Sequence, residues 1–325
     1  MSTKNRILEL LEQQRGESIS GEHLAEILGI SRNAVWKAVK GLQKEGYNIV
    51  AVTNKGYCLS DENDIVSIPG IKPFLSEKNQ PYANKIHIYK SLESTNKTAK
   101  EMAVAGAEHG TVIISDCQTM GRGRYSRNFF SPPGGGLYMS IVLCPEVLHF
   151  ENPTSVTAFA AVSVCEAIES ISKKTPKIKW VNDIFIDGKK VCGILTEAVT
   201  DFESGGLGWI VLGIGINVHI RTEDFPGDLQ SLATSIYPDE KMPGVRNKLS
   251  AEIINSILEL DTLPSETEIF EKYKKRLMML GKEITVIQNQ TEYKATAIDV
   301  DSVGHLIVKN ENGEIITLSS GEIRI

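Results

Sequence analysis

Three arginines lie within six residues of one another, in the glycine-spaced loop Gly121-Arg122-Gly123-Arg124-Tyr125-Ser126-Arg127. Each guanidinium has five fixed donors that can bind a carboxylate or a phosphate in a bidentate manner. Gly121 and Gly123 permit positive φ angles and close approach of the backbone to a ligand. The loop therefore predicts an anion-binding site, and a solvated basic turn is the alternative.

A second polar cluster interrupts an apolar hairpin at residues 177–197, whose turn is Asp187-Gly188. Its polar members are Lys179, Asn182, Asp183 and Lys190. Because an unpaired buried charge is costly, we expect a ligand to be their partner. The later segment Gly213-Ile214-Gly215-Ile216-Asn217 suggests close approach of the backbone to a flat ligand.

Strand and helix patterns around both clusters predict an α/β domain over residues 85–280. The strands are predicted at 86–89, 111–116, 137–143, 177–181, 184–186, 191–197 and 209–212. The helices are predicted at 98–105, 155–171, 250–258 and 269–280. Taken alone, Ser94-Thr95-Asn96 is an N-cap for the first of these helices. Residues 63–84 read as a connector with a short helix near 70–76, and residues 281–325 as a small β domain.

Common catalytic signatures are missing from the sequence. It contains no GxxxxGK[ST], no GxSxG and no GxGxxG that opens a helix. Five scattered cysteines without a CxxC pair indicate reduced thiols rather than a disulfide framework or a zinc site. We find no leader and no apolar run of membrane-spanning length, so we expect a cytoplasmic protein that spans no membrane.

The N-terminal segment, residues 1–60, forms a basic module on an acidic body. It holds eight Lys/Arg and six Asp/Glu, a net of +2, so the total of −6 leaves −8 on residues 61–325. Three helical patterns precede a hairpin at 47–52 and 56–59, which predicts a winged helix-turn-helix over residues 1–62. Its expected DNA contacts are Ser31, Arg32, Asn33, Lys37, Lys40 and, at the wing tip, Lys55. A three-helix protein-interaction domain is the alternative.

Four segments resemble, in order and spacing, the signature of biotin protein ligases. They are Gly121-Arg122-Gly123-Arg124, Lys179-Trp180-Val181-Asn182-Asp183, Lys190-Val191-Cys192-Gly193-Ile194-Leu195 and Gly213-Ile214-Gly215-Ile216-Asn217. With the N-terminal module, the chain is similar to the bifunctional bacterial form, which is also the repressor of the biotin operon. The resemblance implies an α+β multidomain protein: a winged helix-turn-helix, a central α/β catalytic domain of the class II synthetase-like type, and an SH3-like β-barrel.

The activity that this resemblance implies has two steps. ATP, with Mg²⁺, activates biotin to biotinyl-5′-AMP, and the biotinyl group passes to a lysine of a biotin carboxyl-carrier protein domain. The adenylate would also act as corepressor on operator DNA, and the repressor is expected to be a homodimer when it holds the adenylate. A ligand-sensing regulator without ligase activity and a lipoate or octanoate ligase remain alternatives.

The resemblance also implies roles for individual residues. The catalytic set is Lys190, Arg122, Arg124 and Asp183, with Asp183 as a candidate Mg²⁺ ligand. The biotin contacts are Ser94, Thr95, Asn96, Gln118, Arg122, Gly123, Arg124 and Lys190. The ATP or adenylate contacts are Arg124, Arg127, Phe129, Lys179, Asn182 and Asn217. Phe129 stands where relatives often have Trp, so whether it stacks on adenine is left open.

Overall fold

A small apolar core holds the N-terminal domain together in the computed structural model, which describes residues 2–148, 153–200, 207–259, 264–288 and 291–325. The elements are α1 (Thr3–Gln13), β1 (Ser18–Ile19), α2 (Gly21–Leu28), α3 (Arg32–Lys44), β2 (Ile49–Val52) and β3 (Gly56–Leu59). Ser20 and Ser31 cap α2 and α3, and Gly29 ends α2 in the left-handed region. The predicted winged helix-turn-helix is confirmed. The sequence did not reveal β1, whose two residues pair with β3.

The connector packs tightly against the following domain. It forms α4 (Ile68–Ile71) and two 3₁₀ helices, Lys72–Phe74 and Glu77–Lys85. The Asn247 side chain accepts a hydrogen bond from Ser67 N and donates one to Ile65 O. Lys72 Nζ also donates to Glu9 Oε1 of α1 at 2.6 Å. The connector is therefore bonded both to the winged helix and to the helix that carries Asn247.

A seven-stranded sheet forms the centre of the molecule. Its strands are β4 (Ile86–Tyr89), β5 (Thr111–Ser115), β6 (Gly136–Leu143), β7 (Lys177–Lys179), β8 (Asp183–Ile186), β9 (Lys189–Thr200) and β10 (Leu207–Asn217). The order is β4-β5-β6-β10-β9-β8-β7, with β4 parallel to β5 and the other neighbours antiparallel. The predicted strand 177–181 was too long. β7 ends at Lys179, and Asp183 belongs to β8, where it pairs with Lys179.

Six helices described in the structure accompany this sheet. They are α5 (Thr95–Val104), α6 (Pro145–Leu148), α7 (Pro153–Ser172), α8 (Leu229–Leu232), α9 (Val245–Leu258) and α10 (Glu266–Arg276). Within α7, Thr154–Ser172 is long and apolar enough to cross a membrane by length and composition, so the prediction of no such run was wrong. However, 72% of its apolar window is buried in the structure, which matches the core packing predicted for this helix.

The last residues form a five-stranded antiparallel sheet. Its strands are β11 (Glu283–Gln288), β12 (Thr291–Val300), β13 (Leu306–Asn310), β14 (Ile315–Leu318) and β15 (Glu322–Arg324), in the order β14-β13-β12-β11-β15. The predicted C-terminal β domain is thus confirmed, although β15 was not predicted. Its core residues are continuous with the central core. Trp180 Nε1 donates to Gly304 O at 2.9 Å, which fixes the segment between β7 and β8 against this domain.

Candidate functional site

A cavity of about 770 Å³ collects the residues that the sequence singled out. Its wall includes the arginine loop, the start of α5, the β7–β9 hairpin, the glycines of β10 and the chain end after β15. The predicted residues on it are Ser94, Thr95, Asn96, Gln118, Arg122, Gly123, Arg124, Arg127, Phe129, Lys179, Asn182, Asp183 and Lys190. Among the described residues, six Lys or Arg side chains line the cavity against two acidic ones, Asp183 and Glu322. The cavity therefore favours an anionic ligand.

The wall at the start of α5 is polar. Ser94 stands at the N-cap position but makes no capping bond with its side chain, so the N-cap prediction was wrong in this respect. Instead, Gln118 Oε1 accepts from Thr95 N at 2.8 Å. Gln118 Nε2 donates to Ser131 Oγ at 3.0 Å. Gln118 thus caps the helix and keeps a second N–H for a ligand.

Two glycines of β10 make room for side chains of the chain itself. A Cβ at Gly213 would stand 2.0 Å from Asn96 Oδ1, and one at Gly215 would stand 2.7 Å from the Phe129 ring. A Cβ at Gly193 of β9 would also meet Phe129, at 3.4 Å. In the structure the Phe129 ring approaches Gly193 and Gly215, and the Asn96 amide approaches Gly213, where the sequence suggested a ligand.

A lysine and an aspartate face each other at the other side of the cavity. Lys190 Nζ lies 2.6 Å from Asp183 Oδ1. Asn182 beside them is buried and held by two hydrogen bonds with Ile194, since its Nδ2 donates to Ile194 O at 2.6 Å and its carbonyl accepts from Ile194 N. Lys179 is also close, and burial lowers its pKa, although the Asp183 carboxylate partly opposes this. The hairpin therefore holds two cations and one carboxylate at the cavity wall.

The arginine loop is a small closed turn. Phe129 N donates to Gly121 O at 2.8 Å, and Gly123 N donates to Arg127 O at 2.7 Å. Gly121 is required by close approach, since a Cβ there would lie 2.5 Å from Phe129 O. The positive φ angles fall instead on Tyr125 (54°) and Ser126 (58°). Gly121 and Gly123 do not use the positive φ angles that glycine permits.

Two arginines join this loop to other parts of the cavity. Arg124 donates to Asn182 Oδ1 at 3.3 Å and to Gly321 O at 3.4 Å. Arg127 forms a bidentate pair with Glu322 of β15, one of whose bonds is 2.9 Å long. These hydrogen bonds raise the pKa of Arg127 and lower that of Glu322. The loop is thus held to the C-terminal sheet.

Asn217 is the predicted site residue that does not reach the cavity wall. It is buried at the end of β10, and its Nδ2 donates to Thr234 O at 3.1 Å. Within the described part of the chain, its Oδ1 has no hydrogen-bond partner. Its contact with adenine or ribose stays a prediction.

The candidate metal position has a single carboxylate. The described residues contain no group of three or more His, Cys, Asp or Glu side chains that could hold an ion. Mg²⁺ in nucleotide sites is commonly bound by one or two carboxylates together with the phosphates. Asp183 places one carboxylate on the cavity wall, so the residues present fit such a site.

The proposed DNA-binding face is exposed and basic. Ser31, Arg32, Asn33, Lys37 and Lys40 lie on the outer side of α3, and Lys55 lies at the tip of the wing. In the part of the chain that the structure describes, none of the four cations of this group forms a salt bridge. Trp36 is 49% exposed on the same side of α3. Trp36 was not among the DNA contacts expected from the sequence.

The same three parts of the chain match known families. The model of an HTH domain matches residues 3–58, the Biotin/lipoate A/B protein ligase family residues 88–217, and the Biotin protein ligase C terminal domain residues 279–325. The bifunctional ligase/repressor BirA of Bacillus subtilis is 41% identical over 230 residues, which are 71% of this chain and 69% of that protein. The chain belongs to the biotin protein ligase family.

Two further comparisons support the same family, and the first of them spans nearly the whole chain. The bifunctional ligase/repressor BirA of Escherichia coli is 26% identical over 319 residues, 95% of the chain and 94% of that protein. The solved structure of the Aquifex aeolicus biotin protein ligase, in complex with biotin and ATP, superposes with a TM-score of 0.63 at 28% identity. That match covers 74% of this chain and 97% of the Aquifex protein. The ligase therefore shares its arrangement of domains with bifunctional relatives.

Proposed function

We propose that this chain activates biotin with ATP, transfers it to a lysine of a carboxyl-carrier domain, and represses transcription by binding DNA. The observation that carries the proposal is the cavity itself. One wall, at the start of α5, has polar side chains that can bind the N–H and C=O groups of the biotin ring. The opposite wall has lysines and arginines that can bind the biotin carboxylate and the ATP phosphates. A winged helix on the same chain supplies the DNA-binding function.

In the first step, a carboxylate oxygen of biotin attacks the α-phosphorus of ATP and pyrophosphate leaves. The product is a mixed anhydride, biotinyl-5′-AMP. Negative charge accumulates on the oxygens of the α-phosphate during this attack, so catalysis requires donors placed around them. We assign this role to Lys190, with Arg122 and Arg124 over the carboxylate. Arg127 and Lys179 would neutralise the departing phosphates.

Lys190 is kept in place by Asp183 before the substrates bind. Their 2.6 Å contact sets the direction of the ammonium group, and both side chains lie on the cavity wall. When Mg²⁺ accompanies ATP, it supplies charge neutralisation at the phosphates, and Asp183 would provide one oxygen to it. In the second step the lysine amine of the carrier attacks the acyl carbon, AMP leaves, and the nitrogen loses a proton. We assign the orientation of that amine to Asp183.

The polar wall distinguishes biotin from other acids. Ser94, Thr95 and Gln118 would meet the ureido ring of biotin, which offers N–H donors and a C=O acceptor. The dithiolane of lipoate and the alkyl end of octanoate offer no such groups, so these polar side chains would stay covered and unpaired. A site built for hydrogen bonding rejects a ligand without these groups by up to about 10⁴–10⁵ in favourable cases. We therefore infer that biotin is the acid substrate.

Repression would use the basic face of α3 and the wing. One winged helix contacts one half-site, so a two-fold operator calls for a homodimer. We infer that the dimer forms when the adenylate is bound, and that the chain works in the cytoplasm, where ATP, the carrier and DNA meet.

Biotin-dependent pyrophosphate exchange into ATP tests the first step directly. The purified chain should catalyse exchange with biotin, and equal concentrations of lipoate or octanoate should neither replace biotin nor inhibit it. Exchange that prefers lipoate or octanoate would contradict the assignment. Biotin binding without exchange would indicate a sensor that has lost ligase activity.

A further inference from the structure

Arg246 of α9 is almost completely buried and joins two distant parts of the chain. It is 4% exposed, and its guanidinium pairs with one carboxylate of the connector and with one directly after β5. Its Nε donates to Asp64 Oδ2 at 2.7 Å and its Nη2 to Asp64 O at 2.5 Å. Its Nη1 donates to Asp116 Oδ1 at 2.8 Å and to Gly136 O at 3.2 Å. The planar guanidinium has donors enough, in fixed directions, to hold both carboxylates at once.

Asp116 connects Arg246 to the polar wall of the cavity. It lies two positions before Gln118, and its Oδ1 also accepts from Gly134 N at 3.3 Å. Gln118 is held to the same loop, since its N donates to Ser131 O at 3.1 Å and its Nε2 to Ser131 Oγ at 3.0 Å. The two segments therefore form one bonded unit, with Gln118 on the cavity wall and Asp116 against Arg246.

Asp64 connects Arg246 to the winged helix. The preceding residue, Asn63, is buried, and its O accepts from Arg15 Nη1 at 2.6 Å. Its Oδ1 accepts from Asn48 N, just before β2, at 3.4 Å. Burial would raise the pKa of Asp64, but the neighbouring His219 and Arg246 outweigh burial and lower it. An ionised Asp64 therefore holds the connector to Arg246, while Asn63 holds it to the N-terminal domain.

We propose that Arg246 is a positioning residue that couples the polar wall to the docking of the winged helix. A ligand that orders Gln118 would also tighten the bonds from Asp116 through Arg246 to Asp64, since a network of charged hydrogen bonds can carry energy between sites. The inference rests on the proposed function, because it takes biotin as the ligand of Gln118. Arg246 is not among the described residues of the cavity wall, so it acts through Asp116.

Asp64→Asn tests the coupling, because asparagine keeps the size of the side chain and removes its charge. Amide hydrogen exchange followed by mass spectrometry would compare the ligand-free protein with the protein saturated with biotin. In the wild type we expect biotin to slow exchange both in residues 116–134 and in residues 63–71 of the connector. In Asp64→Asn the first segment should still be protected by biotin, whereas the connector should exchange at its ligand-free rate.

Glu9→Gln is the matched control. It removes a different contact between the winged helix and the connector, the one from Lys72, and leaves Arg246 in place. It should keep the protection of the connector by biotin. Because coupling between sites is reciprocal, Asp64→Asn should also raise the Kd for biotin about fivefold, the value of about one net hydrogen bond, and Glu9→Gln should not. Isothermal titration calorimetry measures this, and kcat and the KM for ATP in pyrophosphate exchange should stay within about twofold in both variants.

Arg246→Lys provides a second variant, since an ammonium group keeps the charge but lacks the fork that holds both carboxylates. It should reproduce the result of Asp64→Asn in both measurements. The coupling is overturned if biotin does not protect the connector of the wild type, if it protects that of Asp64→Asn equally, or if Glu9→Gln loses the protection too. These outcomes leave the proposed function standing. A wild type without biotin-dependent pyrophosphate exchange would overturn the proposed function instead.

Discussion

Arg127 and Glu322 form a bidentate ion pair that connects the arginine loop to the last strand of the C-terminal sheet. The two residues are 195 positions apart in the sequence. We assign Arg127 to the phosphates of ATP. In the structure, the Glu322 carboxylate occupies the position beside the Arg127 guanidinium. A nucleotide phosphate at Arg127 would therefore compete with Glu322, and the loop would exchange one anion for another.

The first prediction concerns the ion pair through which Glu322 restrains the arginine loop. Glu322→Gln removes the ion pair, whose exposed position implies a contribution of about 0.2–1 kcal/mol to holding the loop. Trypsin should therefore cleave after the loop arginines up to about fivefold faster in the ligand-free variant than in the ligand-free wild type. Quantitative proteolysis followed by mass spectrometry measures this. Glu283→Gln, which removes the exposed pair with Lys294 in the same sheet, serves as the control. Equal cleavage rates in both variants would show that Glu322 does not restrain the loop.

Lys190→Ala should impair adenylate formation without impairing the fold. Loss of one oriented donor at a developing oxyanion costs about 2.7–4 kcal/mol, or roughly 10²–10³ in rate. Single-turnover formation of biotinyl-5′-AMP gives that rate. Lys189→Ala is the control, because the Nζ of the adjacent Lys189 donates to Gln230 O, which lies outside the catalytic group. A Lys190→Ala rate within tenfold of wild type contradicts the role assigned to Lys190.

Lys37→Glu should abolish binding to operator DNA and leave pyrophosphate exchange intact. The substitution places a negative charge on the exposed face of α3, which repels the DNA phosphates. Each phosphate contact that is lost should lower the slope of log K against log salt concentration by about one. Fluorescence anisotropy at several salt concentrations measures both quantities. Lys309→Glu makes the same charge change on the exposed side of β13 and should bind DNA normally. Parallel loss of exchange and DNA binding would contradict two separable modules.

His109 should make the fold sensitive to mild acid. Burial lowers its pKa to about 4, and its Nδ1 accepts a hydrogen bond from Cys144 N at 3.0 Å. Above its ordinary value near 6.5, both the folded and unfolded states are neutral, so nothing is lost. As the pH falls from about 6.5 to about 4, the unfolded state binds a proton that the folded state does not, and stability decreases.

His109→Gln should flatten this decrease, which urea unfolding at about pH 7.5 and about pH 5 would measure. His23→Gln, at an exposed position on α2, should retain the slope of wild type. An unchanged slope in the His109 variant would exclude His109 as the cause.

Much of the fold could be predicted from the sequence, because apolar spacing and turn residues are local signals. These signals predicted α2 and α3, including their serine caps and the end of α2 at Gly29. They also predicted the central strands. The strands β1 and β15 are two and three residues long, too short for an alternating pattern, so only tertiary pairing defines them.

The parts of the site that contain charged residues or closely spaced glycines were predicted from the sequence. The residues that hold those parts in place were not predicted. Lys190, Asp183 and the loop arginines stood out as charges in apolar or glycine-rich surroundings. Glu322 carries no such signal, and its role depends on a contact with Arg127 that only the fold brings about. The glycines at 213 and 215 were noticed, but which side chains they admit could not be predicted from spacing.

The central claim is that this cavity joins biotin to a protein lysine at the expense of ATP. The most direct test is incubation of the purified chain with ATP, Mg²⁺, biotin and a carboxyl-carrier domain, followed by mass spectrometry of the intact carrier. We predict one biotinyl group on one lysine, with transfer that depends on ATP and is lost with Lys190→Ala. An unmodified carrier, or one that accepts lipoate or octanoate in preference to biotin, would contradict the account.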